Sequence, residues 1–403
     1  MSKLLQRTFR LWWQKARPIS DVPEERTVSF LELFYDLAYV VIIIQLTHTL
    51  AGHLDLSTTL EYIGLYAMVW FAWINGTFYH ELHGNNDIRS RAFTFAQMFM
   101  LVWMAIFVDT AFSAEGYQGF AYAYGSFLII LSYLWWRTGV HDPAHRPLST
   151  PYALAFVGAA AAFFISAQTS LETAQTVWLG AIAFILTLPI IMFRFRNRAD
   201  QKHIEQAQRI RHSLVERFGL LTIIILGENL ISIVSGASYR GDFSLGFVSL
   251  ISASILVVFF MWWIYFDLVS ERLPIQDQLH RWSWMYLHLL LTMSIGLVAV
   301  GLLNAIEYVK EPQIIDTWFI VGPIAAFLVI IAALLQTVQI TNKEAAPSYV
   351  VAARTALLSV VGLLVVGAVE LSTLKTVVAS TILLALPVAA GILLWIKRQD
   401  QKK

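Results

Sequence analysis

The chain is 403 residues long, with 58% hydrophobic and only 14% charged residues and a formal net charge of +1. Soluble domains carry roughly 25% charged and 45–50% apolar residues, so too few polar side chains are present to clothe an aqueous globule of this size, and a soluble enzyme is excluded. Cysteine is absent, which excludes disulfides, thiolate metal sites and thiol nucleophiles.

Residues 1–28 form a basic N-terminal segment. Within it, residues 4–15 (LLQRTFRLWWQK) mix apolar and basic positions, a pattern that predicts a short amphipathic helix on the inner leaflet. Residues 1–17 hold neither an apolar core of roughly 7–15 residues nor a small-residue cleavage site, so no cleavable signal peptide is expected. Beyond them the apolar residues fall into runs long enough to cross roughly 30 Å of hydrocarbon as helices of about 20 residues. Spans are predicted at 30–52, 57–79, 92–112, 117–137, 151–169, 174–193, 213–235, 245–266, 282–306, 317–339, 352–371 and 375–396. The fold class is therefore an all-α integral membrane protein of about 12 transmembrane helices. A first six-helix half occupies 29–193, a basic cytoplasmic linker 194–212, a second six-helix half 213–396 and a cytoplasmic tail 397–403.

Orientation follows from the distribution of Lys and Arg. With the N-terminus inside, only Arg240, Lys310 and Lys375 of the 28 basic residues fall on the outer side. A wrong helix count would scramble that alternation. The pairs Trp135-Trp136 and Trp262-Trp263 sit at the inner ends of their spans, where amphipathic rings belong.

The two halves share a motif. Residues 29–52 align with 213–236 without a gap, placing Ser29 on Ser213, Glu32 on Glu216, Phe34 on Phe218, Gln45 on Asn229 and Gly52 on Gly236. The second spans end on Trp73-Ile74 and Trp263-Ile264, and the third spans follow Arg91 and Arg281 and then place Gln97 and His288. Six spans is an even number, so both halves enter the bilayer from the same side and form a parallel repeat.

Charge in hydrocarbon costs at least about 2.5–3.5 kcal/mol at a helix centre, which makes each intramembrane acid informative. Glu32 and Glu216 each follow a serine by three residues, the capping-box spacing, and stand as capping acids or as acids at an inner mouth. Asp36 lies one turn further, about 10 Å inside its helix by the rise per residue, where capping cannot explain it. Glu228 and Asn229 sit about 22 Å along the seventh span, with Gly227 beside them to allow close backbone approach. Gln45 and Asn229 are a matched pair expected to hydrogen-bond between the halves. His288 completes the set, at a depth that would let it meet a carboxylate. Asp36, Gln45, Glu228, Asn229 and His288 are thus the transport or ion-binding candidates. His48 and Asp109, near outer span ends, read as structural.

No Gly-rich phosphate loop is present. His80-Glu81-Leu82-His83 lacks zincin spacing and is expected in a loop, and His141-Asp142-Pro143-Ala144-His145 reads as a turn. No metal site, cofactor or nucleic-acid partner is called for. The basic 194–211 stretch suits anionic lipid.

The run VSFLELFYDLAYVVIIIQLTH from Val28 to His48, with ERFGLLTIIILGENL at 216–230, resembles the low temperature requirement protein A family of bacterial membrane proteins. The resemblance matches the family's acids to Glu32, Asp36, Glu216 and Glu228, and the run at 262–267 and Asn85-Asn86-Asp87 before Arg91 fit the same pattern. Where the family tends to carry several aspartates after its second span, this chain has only Asp87. The resemblance implies an inner-membrane protein and supplies no reaction. A weaker likeness joins Phe34-Tyr35-Asp36 to potassium channels with a Phe-Ser-Asp motif on their first helix, but the second half reads Phe218-Gly219-Leu220. The expected function is a secondary transporter, possible proton coupling included, with its pathway between the halves and an unidentified small solute or ion as substrate. The alternatives are an ion channel and a lipid-sensing scaffold.

Overall fold

The computed structural model describes residues 14–23, 26–85, 87–194, 198–238, 243–307, 317–339, 346–369 and 371–401. Helix makes up 84% of the structure, and no strand occurs among the described residues. The helices are α1 (Phe30–Gly52), α2 (Leu56–His83), α3 (Ile88–Phe107), α4 (Tyr117–His141), α5 (Arg146–Ser166), α6 (Leu171–Arg194), α7 (Arg198–Ala207), α8 (His212–Ser238), α9 (Leu245–Leu268), α10 (Gln278–Glu307), α11 (Trp318–Leu334), α12 (Ala346–Val369) and α13 (Thr373–Gln401). Nine of them, among the described residues, are long and apolar enough to cross a membrane: α1, α3, α5, α6, α8, α9, α10, α12 and α13. The apolar helix α11 is shorter, at 17 residues. The predicted surface helix at 4–15 lies almost wholly outside the described residues, and its last two positions, Gln14 and Lys15, are not helical.

Local chemistry sets the helix starts. Asp55 caps α2 by accepting from Thr58 N at 2.8 Å, Asp87 caps α3 through Ser90 N at 3.0 Å, and Ser244 caps α9 through Phe247 N. Ahead of α10, Asp277 accepts from the backbone amide of His280, which holds its carboxyl below the ordinary carboxylate range.

The chain divides into two compact units. The first comprises Met1–Thr49 and Asp55–Leu214, the second Leu50–Leu54 and Val215–Lys403. In the first unit α4 packs along α5 and is flanked by α3, while α6 packs on α5. An aromatic column binds them: Tyr124 stacks on Phe163 at 4.6 Å, and Phe163 on Trp178 at 5.5 Å. Several buried polar atoms of this core find partners on neighbouring helices. Ser132 Oγ donates to Ala153 O, Trp178 Nε1 to Ser166 Oγ and Tyr124 OH to Met68 O. Such bonds are what hold helices together where lipid removes the hydrophobic drive.

In the second unit α10 packs on α11, α11 on α12, α9 on α13 and α12 on α13. Gly301 permits the first contact, since a Cβ there would sit 2.4 Å from Phe319 O. Thr381 Oγ1 reaches Ala253 O, and Ser359 Oγ reaches Leu383 O. A two-residue antiparallel bridge, Pro274 with Val338, ties the α9–α10 loop to the end of α11, and Arg272 lies 5.0 Å over the ring of Tyr349.

Candidate functional site

Buried polar residues concentrate at one end of the first unit and along α8 and α10 of the second. In the first unit α1 carries Glu32, Tyr35, Asp36 and Tyr39. Asp36 is fully buried and accepts a 2.7 Å hydrogen bond from Trp73 Nε1 on α2. Beside it, Tyr35 OH shares a 2.8 Å hydrogen bond with Tyr39 OH, and its ring meets His80 edge-on. The hydroxyl of Tyr35 lies over Gly76, where a Cβ would come within 1.8 Å of it. Only glycine leaves room for the Tyr35 hydroxyl against this turn of α2. On α3, Gln97 is fully buried, and neither atom of its amide has a hydrogen-bond partner among the described residues.

Glu32 sits one turn below Asp36. Ser29 N and Ser29 Oγ donate to Glu32 Oε2 at 2.9 and 2.8 Å, and Glu32 N donates to Ser29 Oγ at 3.3 Å. Its other oxygen receives Arg26, whose second nitrogen donates to Glu81 Oε2 at 2.7 Å. The remaining oxygen of Glu81 takes a 2.7 Å bond from Ser213 Oγ. Ser213 therefore bonds Glu81, and Glu216, three residues further on, is exposed. The two serine–glutamate motifs look alike in sequence and are used differently.

Glu81 was not anticipated. His80–His83 belongs to the last turn of α2 and not to a loop, because α2 runs on to His83 and is stopped by Gly84. The N-terminal strand of chain then crosses this helix end. Arg17 Nε donates to Leu82 O, and Arg17 O accepts from His83 Nδ1 at 2.8 Å. Gln14 N donates to Asp87, and Arg137 Nη2 donates to Gln14 O. Burial lowers the pKa of Arg17, and neighbouring Arg26 adds to the effect. Because His83 Nδ1 carries the proton given to Arg17 O, its Nε2 is the acceptor toward His145 Nε2, 3.1 Å away. The signal missed in the sequence was the continued burial pattern past residue 79: Tyr79, Leu82 and His83 all face inward.

In the second unit Glu228 is 1% exposed, and Ser232 Oγ donates to its Oε1 at 3.2 Å. Asn229 donates from Nδ2 to Ile225 O and, across to α10, to Ile295 O at 3.2 Å. The amide thus bonds within its own unit. A Cβ on Gly227 would meet nothing within 4 Å, so no close backbone approach occurs there among the described residues. Gln45 is exposed, and its backbone carbonyl accepts from Thr49 Oγ1.

His288 is fully buried on α10. Its Nδ1 donates to Trp284 O at 2.7 Å, so the neutral ring presents an Nε2 lone pair to Tyr265 OH, 3.2 Å away. Phe218 packs on it with ring centroids 4.9 Å apart. Since Glu228 lies ten residues beyond Phe218 on α8, it stands roughly 15 Å further along the helix. The structure therefore brings Glu228 together with Asn229 and Ser232 and does not join it to His288.

Comparison with known proteins identifies the family. The family model of the bacterial low temperature requirement A protein matches residues 27–394. An uncharacterized protein of Rhizobium meliloti (strain 1021) is 27% identical over 254 residues, which is 62% of this chain, and the chain spans about 60% of that relative's length. With nearly the whole chain matched, the protein belongs to the bacterial low temperature requirement A family.

Proposed function

We propose that the protein is a twelve-span secondary carrier of the bacterial inner membrane, with both termini cytoplasmic, in which Asp36 and Glu228 bind a proton or cation as a small solute moves. The observation that carries this reading is Glu228, an acid 1% exposed in a helix whose most apolar 18-residue stretch has a mean hydropathy of 1.9. A carboxylate is expensive in hydrocarbon, and those that persist there generally serve an ion or proton path. Asp36, fully buried in a helix whose most apolar 18-residue stretch has a mean hydropathy of 1.7, is the equivalent in the first unit. Gln97 and Asn229 Oδ1 support the same reading as buried polar atoms without a hydrogen-bond partner among the described residues, because an unmade bond costs about 1–3 kcal/mol unless something is bound there part of the time.

The twelve spans are the nine apolar helices together with α2, α4 and α11. At 1.5 Å per residue, α2 and α4 are about 42 and 38 Å long, ample to cross roughly 30 Å of hydrocarbon. Orientation rests on the skew of Lys and Arg, and the parallel repeat on the shared first-span motif. Anionic lipid at the basic inner face is the expected partner.

Planar-bilayer recording separates this reading from a channel. A carrier gives slow, saturable flux of K⁺, Na⁺ or protons with no unitary steps. Steady single-channel openings from the purified chain would replace the carrier with a channel.

A further inference from the structure

Helices α5 and α6 enclose an open apolar groove between them, with a volume of about 540 Å³. Its floor is small, formed by Ala155, Ala159, Ala162 and Ala181, and its rims are Leu154 and Phe184, which are 68% and 51% exposed. Both helices are among the apolar candidates for membrane spans. From Pro151 to Ala162 the groove runs eleven residues, about 16 Å at helical rise, which matches one leaflet of a hydrocarbon core roughly 30 Å thick. The helices are antiparallel, so Arg146 and Arg194 lie at the same end of the pair, and both are exposed. Arg146 stands five residues beyond Pro151 and Arg194 six beyond Leu188, about 8 and 9 Å along the axes. That distance is the level of the phosphates above the hydrocarbon; Arg146 is anchored at this end by its Nε, which donates to Gly139 O at 2.7 Å, and a long side chain such as that of Arg194 reaches such a layer while its stem lies along apolar surface.

We infer that this groove is a phospholipid site: it holds one acyl chain, and Arg146 and Arg194 at its polar end select an anionic headgroup. The length of the groove fits a chain of one leaflet, and the two cations supply charge complementarity. The inference requires only that α5 and α6 cross the bilayer, so it stands or falls separately from the carrier reading.

The test uses the full chain in nanodiscs containing a lipid with a diazirine on its acyl chain, carried on either phosphatidylglycerol or phosphatidylcholine. Crosslinks should concentrate on residues 154–162 and 177–188 relative to the exposed apolar face of α12 around Leu357 and Val361. Phosphatidylglycerol should label the groove more strongly, on the order of fivefold for each arginine near the surface. Gly158→Leu should remove groove labelling and spare α12. A Cβ at Gly158 meets nothing within 4 Å, so the variant's side chain starts in open space at the groove, and unchanged labelling of α12 shows that the fold is intact. Arg146→Gln with Arg194→Gln should equalise the two headgroups while chain labelling persists. Even labelling of every apolar face, unaltered by headgroup or by Gly158→Leu, would mean ordinary boundary lipid and overturn the site. Copy-to-copy disulfides formed by Gly158→Cys in this cysteine-free chain would overturn it too, because the occupant would then be a second copy.

Discussion

At the scale of single residues, the polar groups of the first unit are held by very close contacts. Tyr35 is the sharpest case. It is wholly buried, bonded to Tyr39 and lodged over Gly76 with no room for a methyl group. Its ring carbon Cζ would lie 2.8 Å from an alanine Cβ at residue 76. Gly76→Ala should therefore destabilise the protein by about 1–3 kcal/mol, the usual range for overpacking. Adding Tyr35→Phe should recover part of that loss, because the hydroxyl is the nearest clash. Thermal unfolding in detergent measures both, and full tolerance of Gly76→Ala would mean that α1 and α2 do not meet as described. Much of this chemistry was legible in the chain itself. Ser29 and Glu32 have capping spacing, and an aspartate one turn into an apolar run needs a reason to be there. What the letters could not convey was the partner. Nothing in the sequence links Asp36 to Trp73, thirty-seven residues away on another helix. Nor did the matched Ser213 and Glu216 reveal that their serine turns to Glu81, since identical spacing carries no information about which neighbour competes for the hydroxyl.

At the scale of elements, the end of α2 is a junction. Glu81 binds Arg26 and Ser213, Arg26 also binds Glu32, and so the start of α1, the end of α2 and the start of α8 meet on one pair of carboxylates. Placing the end of the second span at residue 79 concealed this, because the apolar run ends there while the helix continues for another turn of polar but buried residues. Hydropathy tells where a helix leaves hydrocarbon and not where it stops. Glu81 and Arg26 differ in exposure, with side chains 1% and 16% accessible. Removing one partner of a buried ion pair typically costs about 3–5 kcal/mol, because a charge is left uncompensated. Glu81→Gln should lower thermal stability at the bottom of that range, since part of Arg26 can still pair with Glu32. The double change Glu81→Gln with Arg26→Gln should lose less than the sum of the two single losses, the mark of direct coupling. Strict additivity in a double-mutant cycle would show that the two groups do not interact.

At the scale of the whole molecule, helix content and the apolar character of nine helices were legible from composition and run length. The helices α2 and α4 were predicted as spans from their apolar runs, yet they do not stand among the nine; α2 buries Tyr, Trp, Asn, His and Glu, and α4 buries Tyr, Trp, Ser, Thr and Arg among its apolar residues. Those residues contribute to the polar interior of the first unit, so its less hydropathic helices carry much of its buried polar chemistry. The deep acids follow a similar logic. Each compact unit has its own, Asp36 in one and Glu228 in the other, and the residues aligned with them in sequence, Leu220 and Ile44, are not acidic. His288, expected to serve a carboxylate, is instead enclosed by Phe218, Trp284 and Tyr265, which makes it a packing and hydrogen-bonding residue of α10. The decisive measurement is internal pH in dye-loaded proteoliposomes after a K⁺ or Na⁺ gradient is imposed, comparing the native chain with Asp36→Asn and Glu228→Gln. The account predicts a saturable pH change in the native protein that falls to the level of empty vesicles in Glu228→Gln and is weakened in Asp36→Asn. An equal pH change in all three proteins would contradict it.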